Sequence, residues 1–204
     1  VKELGIQDVA VIMSKIGELQ GEQDSSLKRI IEVEGNEYGF HPDLSSITLG
    51  EYADLETMIK NGIESNMPEV MAILYRPVTE KGENGVYTIA AYDGNISIRA
   101  EQMKKMSAEQ VQGALVFFLE FRERIVKDFA IIFNGTPEQD GGRIVSESFA
   151  EKWGWFGVMY RLTNGEIVNL ERITNLSLLE CLTWLSYETD LNSQNKVNTN
   201  YDSK

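Results

Sequence analysis

Apolar residues recur at helical spacing over residues 107–133, and this stretch predicts the longest helix of the core. Ser107 is suited to an N-cap, and Gln110 completes a capping-box pattern. Ala114–Leu119 is apolar on every face, so it requires cover on more than one side. The stripe that follows the helical period consists of Val111, Leu115, Phe118, Phe121, Ile125 and Phe129. We therefore expect a helical bundle around a long central helix.

Three earlier segments also follow the helical period. Residues 2–20 carry an apolar stripe made of Ile6, Val9, Met13, Ile16 and Leu19. Thr48 and Glu51 form a second capping-box pattern that opens a helix with an end near residues 61–62. Pro68 suits the first turn of the next helix, which Arg76 and the following proline should end. The second and third segments predict a helical hairpin.

Two parts of the chain show strand or turn signals. Leu27–Val33 and Glu37–Phe40 flank a Gly-Asn turn signal, which predicts a small β-hairpin. The polar residues 79–85 are typical of a loop, and 86–92 with 96–98 fit either a second hairpin or an irregular excursion. The fold class that we expect is mainly α with a small β-hairpin near residues 27–40.

The region after residue 133 is expected to form a separate helical unit. Asn134–Gly142 is polar and rich in glycine, so we place a linker at 134–145, between a main domain at 1–133 and a C-terminal helical unit at 146–190. Ser177 opens a third capping-box pattern with Glu180. Residues 191–204 have almost nothing to bury, so we expect this tail to be disordered or ordered only by a partner.

The aromatic residues of this C-terminal unit are the candidate binding surface. Trp153 and Trp155 lie about 200° apart on a helix, so both cannot face one core. We expect Trp153, Phe156 and Trp184 to lie in the core and Trp155 to face outward as an interface anchor. The candidate interface residues are Trp155, Trp153 and Tyr160.

Net charge and cysteine content exclude some classes of function and partner. The chain has 204 residues and a net charge of −13, so it should repel nucleic acid and anionic membranes. A single cysteine, Cys181, excludes an intramolecular disulfide and fits a reducing compartment. No apolar stretch approaches membrane-spanning length. We expect partners to be proteins, with neither nucleic acid nor membrane among them.

Residues that could carry chemistry are few. A nucleophilic pair of His41 and Cys181 is disfavoured, because Cys181 lies among leucines on an apolar helix face. The segment that begins at Asp93 starts like a calcium loop but lacks its required glycine and final glutamate, so it is interpreted as a turn. A carboxylate acid/base site is conceivable, although a solvated helix face fits better; its members would be Glu51, Asp54 and Glu56 or Glu147 and Glu151. We assign no catalytic, cofactor-binding or metal-binding residue.

The order of several packing motifs resembles a family of tailed-bacteriophage proteins. The resemblance runs from about residue 37 to 190 and is carried by Thr48–Glu56, Val70–Pro77, Tyr92–Gly94, Arg99–Glu101, Gly113–Phe118, Trp153–Trp155 and Leu182–Tyr187. It implies a non-enzymatic tail assembly chaperone whose partners are phage structural proteins such as the tape measure or tail and neck components. The alternative function is a structural connector or minor component of the phage particle. A carboxylate-dependent enzyme is the third candidate function. The expected location is the host cytoplasm, or the virion if the protein is a structural component. A homo-oligomer is compatible with either function.

Overall fold

A computed structural model describes residues 26–133 and 152–201 of the chain. The described residues form a mainly helical protein with one small antiparallel sheet, which confirms the expected mainly α class with a minor β part. The predicted helix at 2–20, the linker at 134–145 and residues 202–204 lie outside the described residues.

Four antiparallel strands form the sheet, in the spatial order in which they occur along the chain. They are β1 (Ile30–Val33), β2 (Asn36–Phe40), β3 (Tyr75–Lys81) and β4 (Tyr87–Ile89). The predicted hairpin is confirmed, because β1 pairs with β2 across a turn in which Glu34 and Gly35 both have positive φ angles. The prediction of a loop at 79–85 is wrong for residues 79–81, because β3 extends to Lys81. β4 pairs with β3 and not with 96–98.

Eight α-helices lie within the described parts of the chain, beside this sheet. They are α1 (Leu49–Lys60), α2 (Met67–Leu74), α3 (Ser97–Met103), α4 (Ala108–Asp128), α5 (Ala130–Phe133), α6 (Trp155–Leu162), α7 (Leu170–Thr174) and α8 (Leu178–Tyr201). Two capping boxes are confirmed. The Glu51 N–H donates to Thr48 Oγ1 at 3.2 Å, and the Gln110 N–H donates to Ser107 Oγ at 3.3 Å. α8 begins directly after Ser177, as its sequence pattern predicts.

The core draws on several helices and one face of the sheet. α2 is buried from Val70 to its end, and α4 contributes Leu115 and Phe118, which are fully buried. None of residues 114–119 is exposed, as the apolar character of this stretch predicts. α4 ends at Asp128, so the expected continuous helix to 133 is interrupted at Phe129. The expected bundle around α4 as its centre is not confirmed.

The last helix belongs to the same core as the preceding residues. Leu178, Cys181, Leu182 and Leu185 are all buried among the core residues of α1, α2 and α4. Two backbone hydrogen bonds fix its start against that of α1. The Leu49 N–H donates to the Leu176 carbonyl, and the Leu178 N–H donates to the Ile47 carbonyl, both at 2.9 Å. The predicted division into a main domain and a separate unit at 146–190 is therefore wrong for residues 152–190. α8 continues to Tyr201, into the segment that was expected to be disordered or ordered only by a partner.

Candidate functional site

Helix α1 carries three acidic side chains that each bind a different part of the fold. They are Glu51, Asp54 and Glu56, whose sequence pattern left an acid/base site open. Their spacing of three and two residues spreads them around the helix, so they meet different neighbours. Each carboxylate is engaged in a contact that holds the tertiary structure together.

Glu51 forms a buried ion pair with Arg76 of β3. Its Oε1 lies 2.5 Å from Arg76 Nη1, and the two side chains are 2% and 5% exposed. Its Oε2 accepts the Thr48 N–H at 2.8 Å and so completes the capping box. The Arg76 guanidinium also lies 5.9 Å from the centre of the Tyr92 ring. Because burial disfavours the charged form, the pKa of Arg76 is lowered, although Glu51 opposes this effect. The pair fixes β3 against the start of α1.

His41 lies beside this ion pair and is buried. Its Nε2 is 3.9 Å from Glu51 Oε1, and its Nδ1 has no hydrogen-bond partner among the described residues. Burial lowers the pKa of His41, and the nearby Arg76 lowers it further, while Glu51 raises it. We therefore expect a neutral imidazole at pH 7.

Cys181 lies in the apolar core, as its sequence position predicts. Burial, with a smaller effect of Glu180, raises the pKa of its thiol to about 11. A thiol with that pKa is protonated at pH 7, so it is a poor nucleophile. The structure therefore describes Cys181 as a packing residue.

Asp54 and Glu56 bind two further elements to α1. Asp54 Oδ2 accepts the Tyr92 hydroxyl at 2.5 Å. Glu56 accepts two hydrogen bonds from Arg122 of α4, at 2.5 Å from Nε and 3.0 Å from Nη2, in the bidentate geometry that suits a guanidinium. α1 is thereby bound to β3, to the segment after β4 and to α4.

Helix α6 and the residues just before it present apolar side chains on two sides. Trp155 is half-buried, and its ring centre lies 5.3 Å from that of Tyr52 in the core. Trp153 and Tyr160 are exposed, with 41% and 56% of their surface accessible.

The two tryptophans lie in different surroundings, but Gly154, with a φ of 44°, interrupts the expected continuous helix between them. The expected assignment is wrong: Trp155 packs inward and Trp153 lies outside. Phe156, which was expected in the core, is exposed beside Trp153 at a ring-centre distance of 5.6 Å.

Helix α8 shows the same two-sided pattern. Its core-facing residues are Leu178, Cys181, Leu182, Leu185 and Thr189. A second stripe consists of Trp184, Tyr187 and Leu191, which are 65%, 64% and 44% exposed. At 3.6 residues per turn, the centre of this stripe lies about 140° from that of the core-facing one. Trp184 was expected in the core, and its exposure corrects that prediction. We call Trp184, Tyr187 and Leu191 the outward stripe of α8.

A sequence signal for these orientations exists in both helices. Trp155, Val158, Met159 and Leu162 follow the i, i+3, i+4, i+7 pattern of a core-facing stripe, and Trp153 lies off it. Leu178, Leu182, Leu185 and Thr189 define the core face of α8, and Trp184 lies off that face. If the core-facing stripe of each helix is identified first, the aromatic residues that lie off it are predicted to face outward, as observed.

The fold and the site define an acidic, mainly helical protein with a small antiparallel sheet and exposed aromatic side chains on α8, on α6 and just before α6. Comparison with protein-family models, with curated proteins and with solved structures finds no match. Over residues 26–133 and 152–201, none of the helices combines the length and the apolar character needed to cross a membrane.

Proposed function

We propose that the protein acts through protein–protein contacts as an assembly factor of a tailed bacteriophage, specifically as a tail assembly chaperone. Its partner in this proposal is a phage structural protein such as the tape measure or a tail or neck component. Its location is the host cytoplasm during assembly. The observation that carries the proposal is the exposed aromatic side chains on α6 and just before it, together with the outward stripe of α8.

The physical argument rests on the cost of leaving such side chains in water. A buried aromatic side chain removes 150–250 Å² from solvent, and Trp and Tyr are enriched among residues that dominate binding energy. Both helices already have a separate apolar face in or against the core, so the outward residues are not needed for that packing. Exposed apolar patches of this kind mark interaction sites. Trp153 and Tyr160 therefore remain candidate contact residues, and Trp184 and Tyr187 join them.

A structural connector of the particle is the competing function within the same class. It would use the same exposed side chains but would stay in the finished particle and be located in the virion. A carboxylate-dependent enzyme ranks last, because Glu51, Asp54 and Glu56 all make tertiary contacts. The other two carboxylates weighed, Glu147 and Glu151, lie outside the described residues. Mass spectrometry of purified particles separates the first two functions. A chaperone should be absent, whereas a connector should be present at a fixed copy number.

The test of contact-dependent assembly is complementation of a phage from which the gene has been deleted. Supplying the wild-type chain from a plasmid should restore tailed particles, counted by electron microscopy. The double variant Trp184→Ala/Tyr187→Ala should fail to restore them while keeping the wild-type circular dichroism spectrum and melting temperature. Ile98→Ala is the matched control, since Ile98 is 75% exposed on α3. Full restoration by the folded double variant would refute a function of the outward stripe in assembly.

A further inference from the structure

The outward stripe of α8 is bordered by negative charge. Residues 178–194 contain three carboxylates and no lysine or arginine. Glu188 is held by Arg161 at 2.9 Å, which leaves two exposed carboxylates on this part of the helix, Glu180 and Asp190. Glu180 precedes Trp184 by four residues, so it lies one turn away on the same face. A ligand of the stripe must therefore bind apolar surface and tolerate or neutralise carboxylates.

The size of the stripe indicates how large its ligand is. The exposed fractions of Trp184, Tyr187 and Leu191 correspond to apolar surface on the order of 350 Å². From Trp184 to Leu191 the stripe spans about two helical turns, or roughly 11 Å. A standard protein–protein interface buries about 800 Å² on each partner. The stripe alone fits one face of a short helix better than the surface of a whole domain.

Resting on the proposed function, we infer that the outward stripe of α8 receives a basic amphipathic helix of the partner protein. The apolar face of such a helix packs on Trp184 and Tyr187. Its lysine or arginine side chains lie opposite Glu180 and Asp190, which gives the charge complementarity that steers association and selects the partner. The net charge of −13 strengthens the same preference at longer range.

Two other occupants fit this charge pattern less well. A second copy of the chain would bring −13 against −13 and place carboxylates opposite carboxylates. The amphipathic segment predicted at 2–20 has three acidic and two basic residues, so it lacks a basic face. Both remain defined outcomes of the experiment below.

The experiment measures binding of two designed peptides to the full chain. Each peptide has 18 residues with leucine at helical i, i+3, i+4, i+7 spacing; one has lysine at the other positions and its twin has glutamate. Isothermal titration calorimetry at about 0.1 M salt should show that the lysine peptide binds at least tenfold more tightly than its glutamate twin. Trp184→Ala should weaken the lysine peptide about thirtyfold, as for an interface tryptophan.

A matched pair of charge reversals tests the carboxylates. Glu180→Lys/Asp190→Lys and Glu120→Lys/Glu123→Lys make the same change of net charge, but the second pair lies exposed on α4. The first pair should abolish the preference for the lysine peptide, and the second should leave most of it. Equal effects of the two pairs, or unchanged affinity in Trp184→Ala, would overturn the inference.

Two further readouts identify the other occupants. Sedimentation of the wild-type chain as a dimer that Trp184→Ala converts to a monomer would assign the stripe to a second copy and overturn the inference. Tighter peptide binding after deletion of residues 1–20 would assign it to the chain's own N-terminal segment, with the same consequence. If complementation depends on the stripe but the lysine peptide shows no preference, the inference fails while the proposed function stands. If the lysine peptide binds as expected but the folded stripe variant complements fully, the proposed function fails on its own.

Discussion

The buried ion pair between Glu51 and Arg76 gives the sharpest prediction of stability. Arg76→Met keeps most of the side-chain volume but leaves the Glu51 carboxylate in a site that is only 2% exposed. Breaking a buried pair by removing one partner costs about 3–5 kcal/mol, because the remaining charge is uncompensated. For a chain of this length, each kcal/mol corresponds to about 2–4 °C in melting temperature. We therefore expect Arg76→Met to melt about 6–20 °C below the wild type.

Lys81→Met is the matched control on the same strand. Lys81 pairs with Glu37 at 2.6 Å, but both side chains are about half exposed, so the loss should be about 1 kcal/mol or less. Urea unfolding should be followed by circular dichroism and by tryptophan fluorescence, whose coincidence tests two-state behaviour. An Arg76→Met loss below about 1 kcal/mol, equal to that of the control, would refute the argument from burial.

A double-mutant cycle separates the pair from its surroundings. Glu51→Gln keeps an oxygen that can accept the Thr48 N–H, but it leaves Arg76 unpaired. In the double variant neither charge remains buried, so its loss of stability should be clearly smaller than the sum of the two single losses. Additive losses would show that the two side chains do not stabilise each other.

Three more predictions concern the core, the sheet and pH. Phe118→Ala should cost about 3–5 kcal/mol, since Phe118 is fully buried, whereas Ile98→Ala should stay within about 0.5 kcal/mol. Gly39→Ala should cost about 1–3 kcal/mol, because its Cβ would lie 2.5 Å from the Tyr87 ring, which the hydroxyl's hydrogen bond to a backbone carbonyl holds in place. His41 has a lowered pKa in the folded state, so the unfolded state binds more protons and stability should fall as pH drops below about 6.5; His41→Gln should remove that part of the slope.

Each of these predictions has a defined contrary result. Urea midpoints for the Phe118 and Ile98 variants that fall by equal amounts would show that Phe118 is not part of the packed core. Wild-type stability in Gly39→Ala would show that the Tyr87 ring can move aside. Identical urea midpoints for wild type at pH 7.5 and 5.5, or an identical slope in His41→Gln, would show that His41 titrates as it does in the unfolded chain.

Local signals predicted the elements whose ends and faces are set by nearby residues. The capping boxes at Thr48 and Ser107 and the Gly-Asn turn after Val33 act over a few positions, so pattern alone was sufficient. β3 was missed because its pairing is not local. Pro77 correctly indicated the end of α2, yet it lies opposite Tyr38 in the sheet and its carbonyl accepts the Ala90 N–H at 2.9 Å. A proline stops a helix without excluding a strand that uses its carbonyl.

In the candidate site, too, the features set by nearby residues were predictable and those set by distant residues were not. Glu51 was interpreted as a capping residue, which it is, but its buried partner is 25 positions away and left no pattern in the sequence. Trp153 and Trp155 were treated as neighbours on one helix, but Gly154, with a φ of 44°, separates them, so the helical period does not fix the angle between them or the direction of the core. The joint core of α8 and α1 was missed because a glycine-rich segment between two apolar regions gives no information about whether they pack together afterwards.

The backbone hydrogen bonds between the start of α1 and the start of α8 have a consequence for protein synthesis. Thr48 and Ser177, which they flank, are roughly 130 positions apart. At about 5–20 residues per second, a ribosome needs about 6–26 s to make the intervening chain. During that time Ile47 and Leu49, which are buried in the finished protein, lack the helix that covers them. The nascent chain can therefore complete its core only after Leu178 and the helix that follows it have left the ribosome.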